Sequence, residues 1–143
     1  MREMARSTRL TVTALSIGAL LLAGGSLAGA ATAPIVTGAS GQLKATLKPS
    51  THTPKINTNW PITVTATLKG KPARATAVYQ YLFGGTVVGT AYPYSNKHYT
   101  FTGHFKDNLV FPAASVGQPL TLRVVIKSAG RTVNLNWQVT PHK

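Results

Sequence analysis

The chain has 143 residues, of which 15 are Lys or Arg and two are Asp or Glu, so its formal net charge is +13. It contains no cysteine, which excludes a disulfide framework, a thiolate metal site and a cysteine nucleophile. The two acids are Glu3, in the N-terminal segment, and Asp107, in the body of the chain. One carboxyl group in the body excludes chemistry that needs two, such as glycoside hydrolysis.

The N-terminal segment, residues 1–30, predicts a signal helix that directs export. Three arginines precede Leu10, and no charge occurs from Leu10 to Ala33. Ala28-Gly29-Ala30 fits the small-residue cleavage pattern of a secretory signal peptide, so we expect the mature chain to begin at Ala31. The absence of cysteine is typical of a bacterial exported protein rather than a small eukaryotic secreted domain.

An uncleaved membrane anchor is the alternative for this segment. A bilayer span needs about 20 apolar residues, and the stretch from Leu10 to Ala33 is long enough. Its last third consists of Gly and Ala rather than Leu and Ile, which favours cleavage. Either way, the rest of the chain is expected outside the cytoplasm, secreted or at the cell surface, and anchored to the membrane if the signal is not cleaved.

Residues 31–41 carry no charge and no hydrophobic period, so they predict a flexible lead-in. In the body that follows, residues 42–141, apolar and polar residues alternate as they do in strands. Seven strands are predicted, at residues 43–48, 60–69, 74–83, 86–92, 98–106, 119–127 and 131–139.

Each predicted strand has one apolar face, so two sheets must cover each other. Gly84-Gly85 indicates a two-residue hairpin between the third and fourth strands. The expected fold is therefore all-β, a seven-stranded antiparallel β-sandwich of the immunoglobulin type. An eight-stranded barrel is the alternative, but the odd strand number and the uneven connections disfavour it.

Three sequence segments resemble strands and turns of bacterial immunoglobulin-like and fibronectin III-like domains. They are Asn59-Trp60-Pro61-Ile62-Thr63-Val64, Val116-Gly117-Gln118-Pro119-Leu120-Thr121-Leu122 and Asn136-Trp137-Gln138-Val139. The resemblance covers about residues 41–140 and is one of strands and turns, without a catalytic signature. It implies a spacer, adhesin or binding module. The chain departs from antibody-type domains in having no cysteine pair and no Trp in its third strand.

The polar residues predict no reaction, no metal site and no cofactor. His98 and His104 are six residues apart, about 20 Å along an extended strand, which is too far for one metal ion. A Ser-His-Asp triad would need Asp107, and Asp107-Asn108 reads as a turn. Thr63, Thr65 and Thr67 form an outward row, which strand propensity explains. We therefore expect the protein not to be an enzyme.

Charge is the feature that predicts a function. Residues 42–141 hold one acid, and self-repulsion from one-sided charge opposes compactness. In an immunoglobulin-like topology, three of the connections meet at one end of the sandwich, and their cations predict a basic, anion-binding pole. These cations are Lys69, Lys71, Arg74, Lys97, Lys127 and Arg131.

The predicted function is a secreted, non-enzymatic module that attaches through this pole to an anionic cell-wall polymer or phospholipid surface. A structural explanation of these cations is also open, because lysines at strand ends and exposed edges prevent aggregation and would produce some clustering of positive charge. The alternative function is an accessory or adhesin-type domain that pairs with another exported protein through a sheet face or edge. Nucleic acid is not the expected partner, because the chain carries an export signal and few exposed aromatic residues.

Overall fold

The computed structural model describes residues 34–143, and this part of the chain is all-β. The predicted signal helix at residues 1–30 lies outside the described residues, as do the first residues of the predicted lead-in. The strands are β1 Val36–Ser40, β2 Leu43–Pro49, β3 Trp60–Leu68, β4 Lys71–Pro72, β5 Arg74–Phe83, β6 Thr86–Ala91, β7 Thr100–Thr102, β8 His104–Leu109, β9 Leu120–Ser128 and β10 Arg131–Val139. Short 3₁₀ turns occur at Pro93–Ser95 and Ala113–Ser115.

The strands form two antiparallel sheets that face each other, as the alternating pattern predicts. The first sheet has the order β1-β2-β3-β8, with β4 also beside β3, and the second has the order β10-β9-β5-β6, with β7 also beside β5. In β10 the buried residues are Val133, Leu135, Trp137 and Val139, and each is followed or preceded by an exposed one. The inward side chains of both sheets make one hydrophobic core.

The hairpins and loops define two ends of the sandwich. The Gly41 end carries the turns Gly41–Gln42, Lys69–Gly70 and Ala129–Gly130, because Leu43 pairs with Leu68 and Arg131 pairs with Ser128. The Gly84 end carries the hairpin Gly84–Gly85 together with the loops 50–59 and 110–119.

Two indole groups order the loop at residues 50–59. Trp60 Nε1 donates to the hydroxyl of Thr51 at 3.2 Å, and Trp137 Nε1 donates to the carbonyl of Thr51 at 3.1 Å. The ring of His52 stacks on Trp137, with centroids 3.8 Å apart. Because the two tryptophans belong to different sheets, this loop joins both sheets at the Gly84 end.

The predicted strand at residues 98–106 is two strands in the structure, and they belong to different sheets. Gly103 separates them with φ +75°, in the left-handed region that favours glycine. β7 pairs with β5, while β8 pairs with β3 and continues to Leu109. The neighbouring crossover at Ala73 is hydrogen bonded to this one, because Gly103 N donates to Ala73 O at 2.9 Å. Alternation continues through such a bend, so periodicity alone does not reveal it.

The structure also differs from the prediction of a flexible lead-in at residues 31–41. Val36–Ser40 forms β1, which pairs with β2 along its length. Its residues are mostly small, because β1 packs against β10: a Cβ at Gly38 would lie 2.6 Å from Val133 Cγ1. With β1, the two-residue β4 and the division at Gly103, the described chain has ten strands where the sequence predicts seven.

Between residues 34 and 143, the structure has no helix of the length and hydrophobicity that a membrane crossing requires.

Candidate anion-binding surface and the Asp107 cleft

Three of the predicted pole cations lie where the chain passes from the first sheet to the second. Lys69 follows β3, and its backbone N–H donates to Gln42 O at 3.1 Å. Lys71 pairs with Leu68 in β4. Arg74 begins β5, and all three cationic side chains are exposed at the Gly41 end.

Two more cations reach the same end from the β9–β10 hairpin. Lys127 pairs with Thr132 near the end of β9, and Arg131 begins β10. The guanidinium of Arg131 lies so close to Gly41 that a Cβ there would collide with it. Arg131 therefore joins the β9–β10 hairpin of one sheet to the β1–β2 turn of the other.

Lys97, the sixth predicted cation, lies away from the Gly41 end. It occupies the connection between β6 and β7, where Tyr99 N donates to Asn96 O at 2.9 Å. β6 ends opposite Tyr79 and β7 begins opposite Thr76, so this connection runs beside the middle of β5. The sequence predicts Lys97 at the same end as the other five cations. The structure places it elsewhere because β6 ends at Ala91 and the chain changes sheets at Gly103, directly after the next strand, β7.

A second group of cations, which the sequence did not single out, lies on the outer surface of the first sheet. Lys48 and Lys106 flank Thr63 in one cross-strand row, so their Cα atoms are about 10 Å apart. We call this surface the threonine–lysine face. Its residues are Lys44, Thr46, Lys48, Thr63, Thr65, Thr67, His104 and Lys106.

The threonine–lysine face continues to the Gly41 end. Lys44 pairs with Thr67, two residues before Lys69. The hydroxyls of Thr46 and Thr65 hydrogen bond to each other across β2 and β3. Alternation already placed these lysines on outward positions, but only the pairing of β2 and β8 with β3 shows that they share one surface.

Asp107, the only acidic side chain in residues 34–143, faces away from both cationic groups. It lies on β8, and its Oδ2 accepts hydrogen bonds from Tyr79 Oη at 2.8 Å and from the Tyr94 backbone N–H at 3.3 Å. Its Oδ1 accepts from the Asn108 N–H at 2.8 Å. All three donors are uncharged, and the bond from Tyr79 joins the second sheet to the first.

Asp107 and four tyrosines line a cleft of about 280 Å³ between β6 and β8. The tyrosines are Tyr79, Tyr81, Tyr92 and Tyr94. Burial, followed by the charge of Asp107, raises the pKa of Tyr81 to about 12. Burial together with the hydrogen bond to Asp107 raises the pKa of Tyr79 still further. Both tyrosines are therefore neutral donors at physiological pH.

An apolar groove of about 410 Å³ adjoins this cleft, and both are lined by Tyr81, Ala91 and Val110. Val88, Phe111 and Leu120 also line the groove. Val88 and Val110 are 60% and 54% exposed. No charged residue occurs from Ala75 to Asn96 or from Asn108 to Leu122, so this side of the Gly84 end is uncharged.

The histidines lie on different parts of the sandwich. His52 stacks on Trp137 at the Gly84 end, and His104 lies on the threonine–lysine face. His98 precedes β7, and His142 forms a bridge with Lys55. Within residues 34–143, no three His, Asp or Glu side chains are grouped closely enough to bind one metal ion.

No family model, curated protein or solved structure matches this chain.

Proposed function

We propose that this protein is an exported, non-enzymatic, immunoglobulin-like module that binds an anionic polymer or surface of the cell envelope. The binding surface is the Gly41 end together with the threonine–lysine face. The ligand is a phosphate-bearing wall polymer, an acidic polysaccharide or an anionic phospholipid surface.

One observation carries this proposal: exposed cations of both sheets lie at the Gly41 end, next to the lysines of the threonine–lysine face, and the only acidic side chain of residues 34–143 is turned away from them. An exposed row of lysines and hydroxyl groups on a sheet surface can contact an extended polyanion at several points. Each lysine near an anionic surface contributes about 1 kcal/mol at ordinary ionic strength. Such binding weakens with salt, because the charges are exposed and screened.

The immunoglobulin-like assignment is supported by the connections. The chain changes sheets between β3 and β5, between β7 and β8, and between β8 and β9, which is typical of the Greek-key arrangement of such sandwiches. Export is supported by the N-terminal sequence, with its basic head and its uncharged stretch from Leu10 to Ala33.

The test is co-sedimentation of the protein with purified cell walls and with vesicles of phosphatidylglycerol or phosphatidylcholine, at low and high salt. Polyphosphate and an acidic polysaccharide, added as soluble competitors, distinguish the polymer classes. We expect binding to walls or to anionic vesicles that is lost at high salt, with no binding to phosphatidylcholine. Salt-insensitive binding, or no binding to any of these probes, would contradict the proposal.

Three triple variants locate the surface. An end variant carries Lys69→Ser, Lys71→Ser and Arg74→Ser, and a face variant carries Lys44→Ser, Lys48→Ser and Lys106→Ser. The control removes the same charge elsewhere through Lys55→Ser, Lys97→Ser and Lys143→Ser. We expect each of the first two to weaken binding by about tenfold to a hundredfold, and the control by much less. Equal losses in all three would show that net charge, not this surface, determines binding.

A further inference from the structure

We propose that the cleft between β6 and β8 is a second binding site, which takes a lysine side chain of a partner peptide whose neighbouring residues are apolar. This site is opposite in character to the cationic surface, and the inference does not depend on the proposed function.

The charge of Asp107 identifies the head group of the ligand. This carboxylate is half-buried, and within residues 34–143 its hydrogen-bond donors, Tyr79, Tyr94 and Asn108, are all uncharged. Half-buried charges are normally paired, because removing them from water is costly. The nearest cation along the chain, Lys106, is exposed on the opposite face of β8. A cation from a partner would supply the missing charge.

The aromatic lining identifies the stem that carries this head group. Tyr81, Tyr92 and Tyr94 line the same cleft, and aromatic faces attract an ammonium group while covering methylene groups. At about 280 Å³, the cleft is just below the size range of pockets for drug-sized ligands. One unbranched side chain with a terminal ammonium fits these properties.

The adjoining groove identifies the neighbours of that lysine. Val88 lines it together with Phe111 and Leu120, and Val88 and Val110 are exposed in the described chain. Because the groove shares Tyr81, Ala91 and Val110 with the cleft, one peptide can place a lysine in the cleft and an apolar residue in the groove.

The test is calorimetric titration of the full chain with two short blocked peptides. One peptide has a lysine between two valines, and the other has norleucine in place of the lysine, so that it keeps the stem and lacks the charge. We expect the lysine peptide to bind about tenfold more tightly. Equal affinities, or no saturable binding of the lysine peptide at about 1 mM, would overturn the proposal.

Asp107→Asn removes the charge and keeps one oxygen that can accept from Tyr79 and Tyr94, at the loss of the hydrogen bond from the Asn108 N–H. We expect this variant to bind both peptides equally and weakly. If it discriminates as the wild type does, Asp107 is only a structural acceptor and the proposal is wrong.

Val88→Ser and Val87→Ser are a matched pair for the groove, because Val87 is exposed on the same strand but does not line it. We expect only Val88→Ser to weaken the lysine peptide, by about threefold to tenfold. An equal effect of both substitutions would contradict the groove assignment.

Salt distinguishes this site from the anion-binding surface. Because the body is strongly cationic, screening reduces its long-range repulsion of a lysine peptide, while the half-buried contact with Asp107 is screened less. We expect affinity for the lysine peptide to be maintained or increased as salt rises, whereas wall binding falls. If salt weakens binding of the lysine peptide as much as it weakens binding to cell walls, the peptide is not bound at Asp107.

Discussion

At the scale of single residues, Asp107 shows how one carboxylate is used in a chain with a large excess of cations. It forms hydrogen bonds with Tyr79 and with the backbone of Tyr94, while Tyr94 Oη donates to Lys106 O. These bonds hold the 3₁₀ turn Pro93–Ser95 and β8 together across the edge between the sheets. The acid therefore has a structural role beside the binding role proposed for it.

The Tyr79 hydroxyl is buried, so its hydrogen bond to Asp107 contributes to stability. We expect Asp107→Ala to lower the free energy of unfolding by about 1–3 kcal/mol, because it leaves a buried donor without its acceptor. Asp107→Asn should cost less, since an acceptor remains. Urea unfolding of both variants checks this expectation, and a loss from Asp107→Asn as large as that from Asp107→Ala would contradict it.

The raised tyrosine pKa values predict lower stability in alkali. An unfolded tyrosine releases its proton near pH 10, whereas in the folded chain Tyr81 has a pKa of about 12 and that of Tyr79 is higher. Their contribution is thus fully present below pH 10 and is lost as pH rises through the folded values.

Above pH 10, each of these tyrosines should reduce stability by about 1.4 kcal/mol per pH unit. Urea unfolding midpoints measured from neutral pH to about pH 11 check the slope, and tyrosinate absorbance reports ionisation. Tyr81→Phe should reduce the slope. Stability that does not change across this range would show that both hydroxyls ionise as freely in the folded chain as in the unfolded one.

At the scale of elements, the crossover between β7 and β8 depends on one residue. Gly103 has a positive φ, and a Cβ there would lie 3.0 Å from Pro72 Cβ. Phe101 and Phe105 on either side pack edge to face, with centroids 4.7 Å apart, so both flanking strands contribute a ring to the core.

We expect Gly103→Ala to destabilise the protein by about 2 kcal/mol, of which about 1 comes from the left-handed backbone and the rest from the contact with Pro72. Gly130→Ala is the matched control, because Gly130 also has a positive φ but has nothing within 4 Å of its added Cβ. Thermal unfolding of both variants separates the two effects. Equal losses would mean that Pro72 moves aside at no cost.

β6 is an edge strand without charged residues, a combination that invites pairing with other chains. Its register with β5 shifts between Tyr81 and Leu82 and leaves Val88 unpaired. Such bulges are one way in which edge strands avoid extension by further strands. This irregularity disfavours pairing with another chain through the β6 edge.

At the scale of the whole molecule, the dominant feature is the separation of charge. Residues 34–143 contain nine Lys and three Arg against one Asp, a formal net charge of +11. Eight of these twelve cations lie at the Gly41 end or on the threonine–lysine face, and the other four are Lys55, Lys97, Arg123 and Lys143. The side of the Gly84 end formed by the β5–β6 hairpin and loop 110–119 is uncharged and apolar. The two proposed sites therefore face different kinds of partner.

This charge predicts that salt stabilises the fold. Raising ionic strength from about 0.05 to 0.5 M shortens the Debye length to a few ångströms and screens the mutual repulsion of the cations. We expect Tm to rise over this range, and to rise less in the face variant that lacks Lys44, Lys48 and Lys106. A Tm that falls with salt, or an equal rise in both proteins, would contradict repulsion on this face.

The sequence by itself determined the all-β class, the two facing sheets and the position of most strands, because alternation of apolar and polar residues is a local property that burial imposes directly. It also placed Lys69, Lys71, Arg74, Lys127 and Arg131 at or beside the connections between strands, and the antiparallel pairing brings these connections to one end.

Tertiary structure decided the features that depend on which strands become neighbours. β1 is a strand because it pairs with β2 and packs against β10. The predicted fifth strand divides because Gly103 lets the backbone change sheets. The threonine–lysine face requires β2 and β8 to flank β3, and the Asp107 cleft requires Tyr79 and Asp107 to meet across the sheets. These contacts join residues far apart in the chain, and a periodic pattern, which records only the exposure of each residue, does not specify its partner.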